Sequence, residues 1–579
     1  MKMVKIYFLA CLFSIPASAK EIHVSLSGSD SNEGSLLKPL KTIAAAKNKV
    51  RKLNKNMTED LNVYIHEGIY HLNEPLVFDS QDSGTEGHSI SYQAFGNDIV
   101  SIRSAIYLNK WKKTELGDEI YKSNPPKFNY RHLIINQSFA TRARAPNKKS
   151  DGTFGPYFKA QVLNNTTIEL EPEKLLTESS YQGDIKSDIE LIKIDHWYHN
   201  RIKLSSIKKI DNKIIVKTPN EKPLHKPLDF YKNTIYYLEN SIGFLDDNNE
   251  WFYDKKDSVT YLKESPKTIQ KKNNIWHPTL ENLITISGSP TNPVENIEFK
   301  NLTIEGTTWL APQDKSINFT QLAQPLKGYE ATVPATIALK HTKRIKIKNN
   351  TIRLSGGNAI NLFDSDESEI EGNKIYNISA NGIQVDSDIQ TPDDSERSTD
   401  VLIWNNEIFN TGQEFTNGGA ILVGNTKNTV IEHNLIYNLP YTGIQLCNQP
   451  GNKRHIGCEN NRICYNHIHN AMRLHDDGGA IYTLGGHHKN TVIAENFIHD
   501  VKAGLWAGNY PVSAIYLDNF TSNVTVRDNV IVGGKAEERN GSKNNFLIGN
   551  DTNDETIKAK SGIARGYNPK LSSCSAAAH

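Results

Sequence analysis

The sequence predicts an all-β chain, a right-handed parallel β-helix (solenoid) carrying an inserted β-rich domain. Three observations predict it. An Asn-x-aliphatic phrase recurs at Asn301–Ile304, Asn350–Ile352, Asn373–Ile375, Asn406–Ile408, Asn434–Ile436, Asn466–Ile468, Asn496–Ile498 and Asn529–Ile531. A second phrase, a small residue followed by Ile, interleaves with it at Ala359-Ile360, Gly382-Ile383, Ala420-Ile421, Gly443-Ile444, Ala480-Ile481 and Ala514-Ile515. After Asn350 the asparagine steps are 23, 33, 28, 32, 30 and 33 residues. Short period-2 runs at such intervals mean stacked β coils, since an α-solenoid needs 3.6-spaced apolar residues over about a dozen positions. The third observation is an excess of asparagine, about 60 in 579 residues and well above ordinary usage. Strands stacked about 4.8 Å apart would set these amides above one another, where they hydrogen-bond along the stack.

At the start of the chain, Met1–Lys5 is a basic n-region, Ile6–Ile15 an apolar run too short to span a bilayer, and Ala17-Ser18-Ala19 a cleavage site. Residues 1–19 therefore read as a secretory signal peptide, cleaved near Ala19 to leave a secreted or periplasmic chain. Residues 20–110 hold the first coils, with Asn62–Tyr70 and Ser89–Ile106 as strand runs. Over 111–275 the Asn phrase vanishes and β-rich runs with Trp197 and Trp251 take over, which marks the inserted domain. Residues 276–555 form the main helix, interrupted at 307–333 by an excursion expected to run over one end or face. Residues 556–579 read as a C-terminal tail, the last 30 residues being a cap or a loose tail, with Cys574–His579 untethered.

Composition excludes several partners. Lys+Arg number 66 against 65 Asp+Glu, a net charge of +1, with 37% hydrophobic residues and a mean hydropathy of −0.53. Neither a nucleic-acid sleeve nor membrane insertion fits those values. A monomer is expected. Four cysteines follow the leader: Cys447, Cys458, Cys464 and Cys574. That is no disulfide framework, though one bridge among the first three suits an oxidising compartment, and Cys464 reads equally well as a small buried residue.

Strand parity sorts the second phrase into inward and outward columns. Inward are the Ile and the residue two later. Outward are Asn361, Gln384, Leu422, Gln445, Tyr482 and Tyr516, then Phe363, Asp386, Gly424, Cys447, Leu484 and Asp518. The Gly/Ala column beside them predicts a shallow trough, whose amides, tyrosines and carboxylates suit a sugar.

Chemistry is densest at Leu474–Thr483 and Ala514–Asn519. Glycoside hydrolysis needs two carboxyls flanking one bond, and Asp477 with Asp518 on adjacent coils are the candidate catalytic pair. Straight strands would hold them seven steps, about 23 Å, apart, so Gly478-Gly479 must bend the chain. Simple alternation turns Asp476 outward rather than Asp477, which leaves open which of the two serves. Asp386 with Asp518 fits worse, being four coils apart. His475, Asp476, Tyr482, Tyr516, His487, Gln445, Gln384 and Trp506 are the candidate substrate-binding residues. No cofactor or metal is expected, although Asp386, Asp388, Asp393 and Asp394 form an acidic loop of a kind that can hold Ca²⁺. Arg142 and Arg144, in Thr141–Asn147, read as salt-bridged structural residues; a carboxylated sugar would reverse that reading.

The run Val24–Thr42, followed in order by Val63–Tyr70, Pro75–Gly84, Thr141–Asn147, Glu250–Tyr253, His475–Tyr482 and Tyr516–Asp518, resembles glycoside hydrolase family 141 from about residue 22 to 550. The known activities of that family include α-L-fucosidase and xylanase. The resemblance implies hydrolysis of a glycosidic bond in a complex polysaccharide by two aspartates, which fall on Asp477 and Asp518. Two other readings stay open: a polysaccharide lyase on the same fold, and a non-catalytic glycan-binding β-helix.

Overall fold

A computed structural model describes residues 20–149, 154–171, 188–211, 213–219, 233–314, 316–325, 332–386, 397–424, 426–447, 458–550, 552–564, 566 and 574. The leader at 1–19 and Asp388, Asp393 and Asp394 lie outside the described residues.

Three long parallel sheets run the length of the molecule. The first has twelve described strands, from Lys20–Val24 to Phe546–Ile548, and the second has ten, from Gly68–His71 to Val530–Val532. The third passes through Leu76–Phe78, Ile284–Ser287, Ala335–Lys343 and Asn358–Asp366 to Gly478–Leu484, Val512–Asp518 and Ala536–Glu538. Each coil contributes one strand to each sheet, which is a parallel β-helix. In the third sheet Ile337, Ile360, Ile383, Ile421, Ile444, Ile481 and Ile515 stand in register, all fully buried.

The asparagines stitch the coils together. The backbone N–H of Asn373 donates to Oδ1 of Asn406 (2.9 Å), and Asn406 donates to Asn434 from its N–H and its Nδ2 (3.0 Å each). The same step repeats through Asn466, Asn496 and Asn529 to Asn550. Asn301, assigned to this ladder from its sequence phrase, is not in it: Leu302 takes the rung and donates to Asn350. Each rung follows a residue with positive φ, such as Asn349, Asn405, His433, Tyr465, Glu495 and Asp528. Left-handed backbone costs a non-glycine residue about 1 kcal/mol, and the buried amide pairs beside it offset that cost.

Four helices interrupt the strands among the described residues, three of them of six residues or fewer. Ile43–Leu53, capped by Thr42, buries Ile43, Ala46 and Val50 and closes the open end of the core. The tail is fastened rather than loose, and Cys574, expected to be untethered, is bonded. Cys464 and Cys574 form one disulfide, and Cys447 and Cys458 another. Ser561 Oγ donates to Glu495 O, Gly562 N to Tyr465 O, His433 Nδ1 to Gly562 O, and Asn405 Nδ2 to Ala564 O. The tail thus climbs the column of left-handed turns, whose exposed carbonyls and side chains supply its partners.

Two long excursions leave from one corner, between the second and third sheets, on consecutive coils. The first forms sheets that are antiparallel except where Thr141–Arg142 pairs with Glu250–Asp254, and closes where Ile106–Tyr107 pairs with Trp276-His277. The second, at 307–333, falls beside it. Ile317–Thr320 pairs with Tyr198–Lys203 as the next strand of a six-stranded sheet, matching His199 with Phe319. Shared departure explains the shared sheet.

Candidate active site

Later connections at the same corner, 410–420, 470–477 and 500–511, are also long, and they carry the chemistry. The small-residue column expected to be an open trough is filled at its first coils by the chain itself. Leu322 packs on Gly419, where a Cβ would lie 2.4 Å from its Cδ2, and Leu322 O accepts from Asn381 (2.7 Å). Glycine and alanine are needed because neighbouring backbone sits against them: a Cβ on Gly443 would meet Ala480 O at 2.6 Å.

Further along, two carboxyls and two tyrosines interlock. Gly478 pairs with Val512, Tyr482 with Tyr516, and Leu484 with Asp518. Tyr516 Oη donates to Asp477 Oδ1 (3.3 Å), Tyr482 Oη donates to Asp518 Oδ2 (2.6 Å), and the two rings meet edge to face at 5.3 Å. Asn540 Nδ2 donates to the other Asp518 oxygen (2.6 Å), so both oxygens face donors. Tyr441 Oη ties down the Asp477 carbonyl (3.0 Å).

The bend that the straight-strand reckoning required is made by Asp477, not by Gly478-Gly479. Asp477 has φ 54°, whereas both glycines are extended strand residues. They are small because Met472 and Tyr441 crowd Gly478, and Ser513 O crowds Gly479. The left-handed step breaks alternation, so Asp477 turns toward the tyrosines while Asp476 points into the antiparallel region.

Asp477 is 8% exposed. Burial first, then the charges of Asp518 and Asp476, push its carboxyl up to about 7. Burial also raises the Tyr482 and Tyr516 hydroxyls, which stay protonated as donors.

Several expected substrate contacts are instead structural. Asp476 is fully buried, bonded to His196 Nδ1 (2.6 Å) and Tyr510 N (2.8 Å). His475 is 1% exposed; it donates to His196 O (2.7 Å) and its Nε2 meets Thr416 Oγ1 (2.9 Å), while burial pushes it down to about 4, hence neutral. Gln384 Oε1 is taken by Gln324 (2.9 Å), Asn358 (3.1 Å) and Asn381 (3.1 Å). Gln445 is fully buried and donates to Cys447 O. Trp506 meets Tyr157 edge to face at 5.4 Å and crowds Gly155, which locks the antiparallel region onto the helix. His487 is half-buried at the start of His487–Ala494, and Tyr482 and Tyr516 sit at the carboxyls. His196, Tyr510, Tyr441 and Asn540 are the contributors that sequence reading missed. Asp386 accepts from Asp364 N and Ser398 N, holding a turn.

Among the described residues, the groups with metal-ligand geometry are Cys447, Cys458 and His488, and Glu432, Cys464 and Cys574. In each the two sulfurs are joined to one another, and a disulfide offers no thiolate. No described helix is long and apolar enough to cross a membrane.

A family model described as a right handed beta helix region matches residues 335–520. A solved structure named "Glycoside hydrolase" is 22% identical, with a TM-score of 0.84 over 95% of this chain and all of that one. A second, "The complex structure of XylC with xylose", is 15% identical, with a TM-score of 0.51 over 90% of this chain and 70% of that one. No curated protein matches. These likenesses establish the right-handed parallel β-helix.

Proposed function

We propose that this chain is a secreted glycoside hydrolase of the family 141 kind, acting on a complex polysaccharide through Asp477 and Asp518. The observation that carries the reading is the interlocked pair. One carboxyl is held protonated near neutral pH by burial and by its acidic neighbours. The other has donors on both oxygens. Two carboxyls set in contrasting environments are how a glycosidase divides acid from base. The solved structure that matches over nearly the whole chain is itself named a glycoside hydrolase, which points the same way.

Asp477 gives its proton to the glycosidic oxygen as the bond from the anomeric carbon breaks. Asp518 either takes a proton from the attacking water or forms an ester that water then hydrolyses, with Asp477 as the returning base. Tyr482 fixes the Asp518 carboxylate, and the His196–Asp476 pair fixes the turn that aims Asp477.

Product analysis on pectic, hemicellulosic and algal polysaccharides tests this, with Asp477→Asn and Asp518→Asn as controls. Release of a sugar by the parent and not by either variant is expected. Release at parental rate by both variants would remove the pair from the reaction.

A further inference from the structure

A cavity of about 300 Å³ lies where the antiparallel region meets the helix. Its charges do not cancel. Glu190, Glu239 and Glu414 are matched by three arginines: Arg131 reaches Glu190 (3.1 Å) and Glu414 (2.7 Å), Arg201 reaches Glu190 (2.9 Å), and Arg142 reaches Glu190 (3.3 Å) and Glu239 (3.4 Å). Arg144 and Lys148 line the same cavity and have no carboxylate partner among the described residues. Arg144 is only 8% exposed; it donates to the carbonyls of Pro146 (2.8 Å) and Pro156 (3.4 Å) and lies over the Tyr237 ring at 3.9 Å. A buried guanidinium with only carbonyls for partners is expensive, because carbonyls solvate the charge without neutralising it. Arg201 adds a buried Nε–H with no hydrogen-bond partner. Tyr157 and Tyr237 wall the space with aromatic surface.

We propose that this cavity binds an acidic sugar, with Arg144 and Lys148 receiving its carboxylate and the tyrosines its ring. Two surplus cations, a forked donor and aromatic walls together match a uronate better than a neutral sugar or a bare anion. That the uronate belongs to the substrate rests on the hydrolase reading. The wall residues Glu414 and Thr416 lie on the connection two coils before Asp477, about 10 Å along the axis. Thr416 also touches His475 beside the acidic turn. The cavity would then select glycans carrying a carboxylated residue near the cleaved bond.

Methyl glycosides of galacturonate and glucuronate, their neutral counterparts, and galactose 6-sulfate are titrated into the full chain by calorimetry and ligand-observed NMR. At least one uronate is expected to bind ten-fold or more tighter than its neutral counterpart and than the sulfate, with affinity falling as salt rises. Lys148→Gln, at an exposed side chain, should weaken that binding at least ten-fold at an unchanged melting midpoint, and Arg144→Gln should weaken it at least ten-fold with a midpoint no lower than the parent's. Equal binding of uronate and neutral sugar, preference for the sulfate, or parental affinity in Lys148→Gln overturns the proposal. Because binding is read without turnover, an inactive but uronate-binding chain, or one that yields an ultraviolet-absorbing unsaturated product, refutes the hydrolase and leaves the cavity assignment standing.

Discussion

Replacing Asp477 by Asn should make the protein more stable, and only above about pH 4. In the folded chain this carboxyl titrates at about 7, against 3.8 for the ordinary side chain. The folded state therefore keeps a proton that the unfolded chain releases between those values, and the parent loses stability as pH rises through that window. At about 1.4 kcal/mol per unit over some three units, the loss is on the order of 4 kcal/mol. Asparagine never ionises, keeps an acceptor for Tyr516 and tolerates the left-handed φ of 54°. Urea midpoints of parent and variant at pH 4, 5, 6, 7 and 8 should converge at the acid end and separate by about 4 kcal/mol at pH 7 and above. Glu250 and Asp386 are also raised, to about 8 and about 7, but they are common to both proteins and cancel in the difference. A stability difference that does not change with pH would refute the claim that Asp477 carries the neutral-range proton, and with it the acid role. Parental kcat/KM should correspondingly fall about ten-fold per unit above pH 7, as the acid loses its proton.

Asp518→Asn should lower turnover by at least about a hundred-fold without changing the melting midpoint greatly. In Asp518→Ala, azide should restore activity in a retaining enzyme and leave an inverting one silent. Asn406→Ala removes a rung that accepts from Asn373 and donates to Asn434, Ile370 O and Trp404 O. It should cost about 3 kcal/mol or more in urea unfolding, since several buried groups lose partners at once. Replacing both Cys447 and Cys458 by Ala, which opens a bridge with a sequence separation of 11, should cost about 3 kcal/mol by the loop-closure argument, read as a lower urea midpoint than the parent's.

The coils were legible because their signal is local and repeated: a rung asparagine and a buried Ile recur where stacking demands them. What the sequence hid was where excursions land. Parity correctly puts Gln384 and Gln445 opposite the core, but it cannot say that Gln324, 60 residues earlier, lies on Gln384. His196 and Asp476 are 280 residues apart, and no motif joins them. Alternation misassigned Asp476 and Asp477 for a different reason, because one left-handed residue shifts the parity of everything before it. The tail was misread because a separation of 110 residues between Cys464 and Cys574 carries no spacing signal.

That tail bears on the order in which the molecule is finished. The segment Ser561–Ala564 clasps turns from four successive coils, Asn405 to Glu495, and Cys574 then bonds back to Cys464. All of these coils are synthesised before the strip that binds them, like hoops laid up before the stave that pins them. The coils can therefore stack first and remain able to fray. The bridge from Cys574 to Cys464, once oxidised, then locks the strip across them.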